Sequence, residues 1–198
     1  MSGSLRVIDP ASDWKTHDHV GLTLSTGRQL RYHDPRRFGI VLHLPSGDPL
    51  KHPLLETLGP EPLDEDFTVA TLVKAFERKS IPIKVAIMDA KTVVGVGNIY
   101  ASESLFRAGI LPKTPANKVS KPRLAKLVGC IRTVLQDSIT EGGTTLRDFL
   151  NSDGQPGYFR QKLFVYERKG EPCRVCGTPI QHAVMVQRST YWCSKCQR

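Results

Sequence analysis

No stretch of this 198-residue chain approaches the roughly 18 consecutive apolar residues that a membrane-spanning helix needs, and no internal repeat or low-complexity tract appears. Residues 1–7 contain no apolar segment of the kind that directs export, so a reducing, cytosolic setting is expected. Acid is scarce in places. Between Ser104 and Gln136 there are seven basic residues (Arg107, Lys113, Lys118, Lys121, Arg123, Lys126, Arg132) and no Asp or Glu; after Glu171 come Arg174, Arg188, Lys195 and Arg198, again without an acid. The acidic stretch is elsewhere, at Glu56, Glu61, Asp64, Glu65 and Asp66. With 28 Lys+Arg against 19 Asp+Glu the chain carries a formal +9, most of it in the C-terminal half, and this favours a polyanionic partner without identifying which.

Cysteine is also sparse, but four of the five fall into two C-x-x-C knuckles, Cys173/Cys176 and Cys193/Cys196, sixteen residues apart. Two thiolates from each tight turn can meet around one tetrahedral Zn²⁺, with a β-hairpin in the intervening segment returning the second knuckle to the first. Two disulfides would require an oxidising compartment, and a rubredoxin-like iron centre normally belongs to a small acidic domain. A four-cysteine site leaves no open coordination position, so one structural zinc is expected. A zinc ribbon beside a basic surface points to nucleic acid.

The rest reads as α+β. Leu5 and Val7 alternate, as do Val20, Leu22 and Leu24 before a turn at Ser25–Gly27, and Ile40, Leu42 and Leu44 before Pro45–Gly47. Pro45 to Asp66 resembles a linker. Phe67, Ala70, Val73 and Phe76 then mark a helix; Ser80 and Pro82 start a short second one through Met88. Asn98–Ala108, stopped by Gly109 and Pro112, is a third, and Leu124, Leu127, Val128, Ile131, Val134, Leu135 and Ile139 trace a long fourth with Cys130 beside its apolar stripe. Between the second and third lies Asp89-Ala-Lys-Thr-Val-Val-Gly-Val-Gly-Asn98. Such a glycine-bearing double turn can offer backbone N–H groups to a phosphate, or it can simply connect two helices.

Taken together, these residues resemble the formamidopyrimidine-DNA glycosylase family of base-excision repair. The resemblance runs through Met1–Arg6, Asp34-Pro-Arg-Arg-Phe-Gly39, Leu58–Leu63, Asp89–Glu103 as a helix-two-turns-helix element, Gly142–Phe149, Asp153–Phe159 and the ribbon with Gln187-Arg188-Ser-Thr190 at its tip. It implies one structural zinc on Cys173, Cys176, Cys193 and Cys196, and a double-stranded DNA partner carrying an oxidised purine or an abasic site. It also implies excision of 8-oxoguanine and formamidopyrimidines by base eversion, glycosidic cleavage and β,δ-elimination. Met1, Arg36 and Phe38 would fill the hole left by the everted base; His17, Lys79, Asn98 and Arg188 would contact DNA, with Arg188 also assisting the final elimination. Gly142–Gly157 would be the loop over the everted base. An endonuclease VIII-like enzyme for oxidised pyrimidines and a non-catalytic binder of damaged DNA are the alternatives.

The resemblance implies four segments: residues 1–52 as a partial β-sandwich, 53–66 as linker, 67–157 as the helical domain, and 158–198 as the ribbon. A monomer in the bacterial cytosol or nucleoid is expected. In the family a proline α-amine attacks C1′, a glutamate follows it, and a lysine assists elimination. None has a counterpart here, because Met1 corresponds to a position well inside the family's first domain. A gene fragment or an internal start codon explains this more readily than a truncated paralogue. The expectation for the chain as written is therefore binding without cutting.

Overall fold

The computed structural model describes residues 3–44, 47–143 and 162–198. Met1, and residues 144–157 of the Gly142–Gly157 segment, lie outside the described residues. Two compact units emerge. One holds the N-terminal strands up to Gly47 together with Glu141–Gly143; the other comprises Asp48–Thr140 and residues 162–198.

The first unit is built on an antiparallel sheet of three strands, β1 (Ser4–Ile8), β2 (Asp18–Thr23) and β3 (Gln29–His33), in the order β1-β3-β2. Gly27, at φ 78°, closes the β2–β3 hairpin where a side chain would be strained. The register sets Leu5 against Tyr32 and Val7 against Leu30 on one side of β3, and Val20 against Tyr32 and Leu22 against Leu30 on the other. One face is therefore apolar. Leu5, Val7 and Leu22 stay about half exposed on it. The burial instead goes to Arg31 on the opposite face. Its guanidinium is held by Asp18, by the carbonyls of Ser12 and Asp13, and by Gln29, and lies 4.4 Å from the Trp14 ring.

One expected strand does not form. Ile40, Leu42 and Leu44 alternate, but residues 40–44 pair with no other described segment, and Ile40 and Leu42 are more than half exposed. Alternation creates a face; a strand also needs a neighbour to take its N–H and C=O groups. Gln29–His33, with a weaker apolar pattern, becomes a strand because it lies between two such neighbours.

The second unit opens its helices with α1 (Val69–Phe76). Thr68 and Thr71 form a reciprocal capping box, and Phe67 and Leu72 occupy the two positions of a hydrophobic staple, both fully buried. Leu72 and Phe76 make the inward stripe, whereas Ala70 and Val73 turn outward, so the expected spacing was one step off. The helices α2 (Ile83–Ile87), α3 (Asn98–Ala108) and α4 (Lys121–Thr140) pack with α1 around Phe67, Leu72, Phe76, Ile83, Leu105 and Ile131. Cys130 joins the margin of this core; Ile139, expected on the α4 stripe, is 61% exposed. Gly109 ends α3 in the left-handed region (φ 74°) and its N–H returns to the carbonyls of Leu105 and Phe106.

The C-terminal hairpin, β4 (Gln181–Met185) and β5 (Arg188–Trp192), turns on Val186 and Gln187, both at positive φ. It shares a small core of Val165, Ile180, Cys173 and Cys193 with Phe106 of α3. Glu103, buried in the middle of α3, takes the backbone N–H groups of Phe164, Val165 and Tyr166 at 2.8–2.9 Å. Burial pushes its pKa up while these three bonds hold it back. The chain end is tied down as well: Gln197 bridges Cys193 N and Ile110 O, and Arg198 exchanges backbone bonds with Gly109 and Leu111. No helix among the described residues is long and apolar enough to cross a membrane.

Candidate nucleic-acid interface

The double turn between α2 and α3 is held from three sides. Asp89 accepts Lys91 N–H with its side chain and Thr92 and Val93 N–H with its carbonyl, while Lys79 Nζ reaches both Asp89 Oδ2 and Thr92 Oγ1 at 3.1 Å. Gly59 packs its backbone directly on residues 92–93, where an added Cβ would come within 2.6 Å of Thr92 C. These contacts aim the N-terminus of α3 outward. Gly97 is its N-cap and contributes no side-chain cap, which leaves the positive dipole end of an 11-residue helix without a capping side chain from that residue.

Beside that terminus sits a buried cation. Lys84 of α2 is 1% exposed, and its ammonium donates to Asn98 Oδ1 at 2.5 Å, Ser189 O at 2.9 Å and Thr190 Oγ1 at 2.8 Å. It therefore joins the first residue of α3 to the two residues that follow Arg188 on β5. Burial, and then the nearby Arg188 charge, push its pKa down to about 8. Asn98 is fixed at its other end as well, donating from Nδ2 to Tyr166 OH at 3.2 Å, and the Tyr166 ring meets Tyr191 edge-on. Arg188 itself is exposed at the hairpin tip. An outward guanidinium, a helix terminus without a side-chain cap and a buried ammonium supply the kinds of donor and charge that an anion can use.

The ribbon's shape rests on the four cysteines. Their sulfurs lie within 4.8 Å of one another, with Cys173–Cys196 at 3.9 Å and Cys176–Cys193 at 3.4 Å. Zn–S bonds of about 2.3 Å in a tetrahedron put sulfurs ~3.8 Å apart, so the set fits one zinc. Hydrogen bonds from Thr178 hold the Cys176 thiol down at about 6, whereas burial pushes the Cys193 and Cys196 thiols up, so metal binding here would release protons.

In the first unit, Arg36 and Phe38 project from the loop after β3. Phe38 is 66% exposed, so it is no core residue, and the Arg36 guanidinium lies 4.6 Å from its ring centroid. His17 packs edge-on against His33, whose Nδ1 bonds Asp18 Oδ1 at 2.8 Å. The structure thus brings Asn98 and Arg188 together in one unit, pairs Arg36 with Phe38 in the other, and engages Lys79 within the double turn. Lys84 and Tyr166 escaped the sequence reading. Lys84 hides in an apolar run, Ile81-Pro-Ile-Lys-Val-Ala-Ile87, and the lone charge in that run was the available signal.

A double turn feeding a helix N-terminus, coupled to a four-cysteine ribbon, defines a zinc-stabilised DNA-binding protein of the helix-two-turns-helix class. Comparison with known proteins sharpens this. Residues 1–41 match the formamidopyrimidine-DNA glycosylase N-terminal domain, residues 58–150 the H2TH domain of the same proteins, and residues 170–198 the zinc finger found in FPG and IleRS. The chain is 52% identical over 198 residues to the formamidopyrimidine-DNA glycosylase of Stenotrophomonas maltophilia and 56% identical over 201 residues to that of Serratia proteamaculans, spanning all of itself and 73% of each relative. Among solved structures it is similar to MutM (Fpg) from Thermus thermophilus, with a TM-score of 0.87 at 38% identity over 73% of that chain. It is also similar to Lactococcus lactis Fpg bound to DNA containing an abasic site, with a TM-score of 0.89 at 31% identity over 72%. In both comparisons the whole of this chain is covered. The chain belongs to the formamidopyrimidine-DNA glycosylase family, whose members are DNA glycosylases and abasic-site lyases.

Proposed function

We propose that this chain serves base-excision repair of oxidised purines, gripping duplex DNA at an 8-oxoguanine, formamidopyrimidine or abasic site. The observation that carries the reading is the Lys84 network. One buried ammonium fixes Asn98, at an uncapped helix N-terminus, relative to Ser189 and Thr190, which follow Arg188. Two elements far apart in sequence are thereby set as a single phosphate clamp, and preorganised donors lose little freedom on binding. Zinc, when bound, supplies only shape. Arg188 takes the backbone phosphate and, in the family's chemistry, assists the last elimination. Arg36 and Phe38 occupy the void of an everted base, the guanidinium bonding the orphaned partner and the ring replacing lost stacking.

The test is binding. Fluorescence anisotropy with duplexes that contain an abasic-site analogue, 8-oxoguanine, an oxidised pyrimidine or no lesion should rank the first two above the others at fixed salt. Equal affinity for lesion and intact duplexes would overturn the proposal, and preference for the oxidised pyrimidine would favour the endonuclease VIII-like alternative.

A further inference from the structure

We propose that Asp34, assisted by Tyr32, is the positioning residue that holds Arg36 and Phe38 as one stacked unit and so sets discrimination of the base opposite the lesion, without touching DNA itself. This rests on the wedge reading of Arg36 and Phe38 given above. Asp34 is 3% exposed and closes the loop 34–39 on a single carboxylate. Oδ2 accepts Gly39 N–H at 2.8 Å, Oδ1 accepts Arg36 N–H at 3.3 Å, and the Tyr32 hydroxyl donates to Oδ2 at 2.8 Å. The backbone of the same residue is pinned too: its N–H bonds His17 O, and its carbonyl receives Arg37 N–H and His19 Nε2.

Two further features point the same way. Arg37 sits at φ 53°, a conformation that a non-glycine residue keeps only where its surroundings impose it. Gly39 has no room for a side chain, because a Cβ there would fall 1.7 Å from the Tyr32 hydroxyl oxygen. The loop is thus drawn tightly onto Tyr32 and Asp34 at both ends, and its middle is forced outward.

The chemistry of the carboxylate matters as much as its place. A buried anion beside two arginines would ordinarily capture a guanidinium in a bidentate pair. Here its acceptor sites are taken by Gly39 N–H, Arg36 N–H and Tyr32 OH, and the Arg36 guanidinium lies over Phe38 instead. The Gly39 and Tyr32 bonds hold the Asp34 pKa below its ordinary value, so the clamp is anionic at neutral pH. A guanidinium that reads a base edge must be held in one orientation, and a flat ring beneath it supplies that only while the loop keeps the two in register.

The test compares Asp34→Asn, Tyr32→Phe and Arg36→Ala in the full 198-residue chain, measuring affinity for abasic-analogue duplexes with cytosine or adenine opposite, and the salt dependence of each. Asp34→Asn puts an amide where two donors converge. It should lower the cytosine-over-adenine ratio by roughly fivefold or more, towards the Arg36→Ala value, with the salt slope unchanged. Tyr32→Phe removes one hydroxyl and should lower the ratio by about two- to threefold, which keeps the test alive where the asparagine variant fails to fold. The double variant Asp34→Asn/Arg36→Ala should lose no more discrimination than Arg36→Ala alone. An unchanged ratio in Asp34→Asn or Tyr32→Phe, while Arg36→Ala abolishes it, overturns the clamp and leaves the wedge standing. A ratio untouched by Arg36→Ala removes the wedge and the clamp with it.

Discussion

Replacing Lys84 with methionine separates holding the fold from holding DNA. The lysine is buried and donates three hydrogen bonds, to Asn98 Oδ1, Ser189 O and Thr190 Oγ1, with no carboxylate among its partners. Hydrogen bonds from a charged donor contribute about 1.5–3 kcal/mol each. Taking an ammonium out of water costs several kcal/mol, which an apolar side chain recovers, but the substitution leaves three acceptors without their donor. The two nearly offset, so Lys84→Met should change unfolding stability by only about 1–2 kcal/mol in either direction. DNA binding has no such compensation. Asn98 loses the donor that orients its amide, the β5 residues after Arg188 lose their tie to α3, and one positive charge leaves the clamp. An affinity loss of about 10- to 100-fold for an abasic-analogue duplex follows if the lost orientation is worth ~1.4–2.8 kcal/mol. Anisotropy titration at fixed salt reads the affinity; thermal unfolding and zinc content report on the fold. A Lys84→Met protein that melts like the parent, keeps one zinc and binds within twofold of it would refute the reasoning.

The same lysine predicts a pH dependence. Its folded pKa, about 8, lies below its ordinary 10.5, so the unfolded chain binds the extra proton between those values and stability should rise with pH across that window. A nearby phosphate favours the charged form, so DNA affinity should instead fall above about pH 8 with proton uptake on binding, and Lys84→Met should flatten the profile; an identical profile in both proteins would count against it. Stripping zinc with a chelator should release about one metal per chain, disorder residues from about 171 onward and weaken DNA binding, read by metal analysis, hydrogen exchange and titration. Two disulfides in protein purified without oxidant would contradict that. Arg188→Ala should weaken binding to every duplex and reduce the salt slope by about one, since a phosphate contact is blind to sequence; loss confined to one lesion type would argue for a base contact.

Local rules carried much of this protein. The C-x-x-C spacing alone specified four sulfurs able to share one metal, and in the structure they lie within 4.8 Å of one another. Gly109 marked the end of α3 because only a residue at ease with positive φ can turn a helix off there. The long apolar stripe of α4 was equally plain. What sequence could not decide was where pairing and burial would fall. Residues 40–44 had the better alternation, yet Gln29–His33 became the strand, since hydrogen-bonded neighbours are supplied by the fold and not by the segment. The sequence favoured an outward Phe38 only through its setting in Asp34–Gly39, and the fold leaves that ring 66% exposed. Lys84 carried no sequence signal beyond being the lone charge in the run Ile81–Ile87. Only tertiary structure set it beside Asn98, 14 residues away, and Thr190, 106 away, because a buried ammonium must collect its acceptors from whatever elements the fold brings within reach.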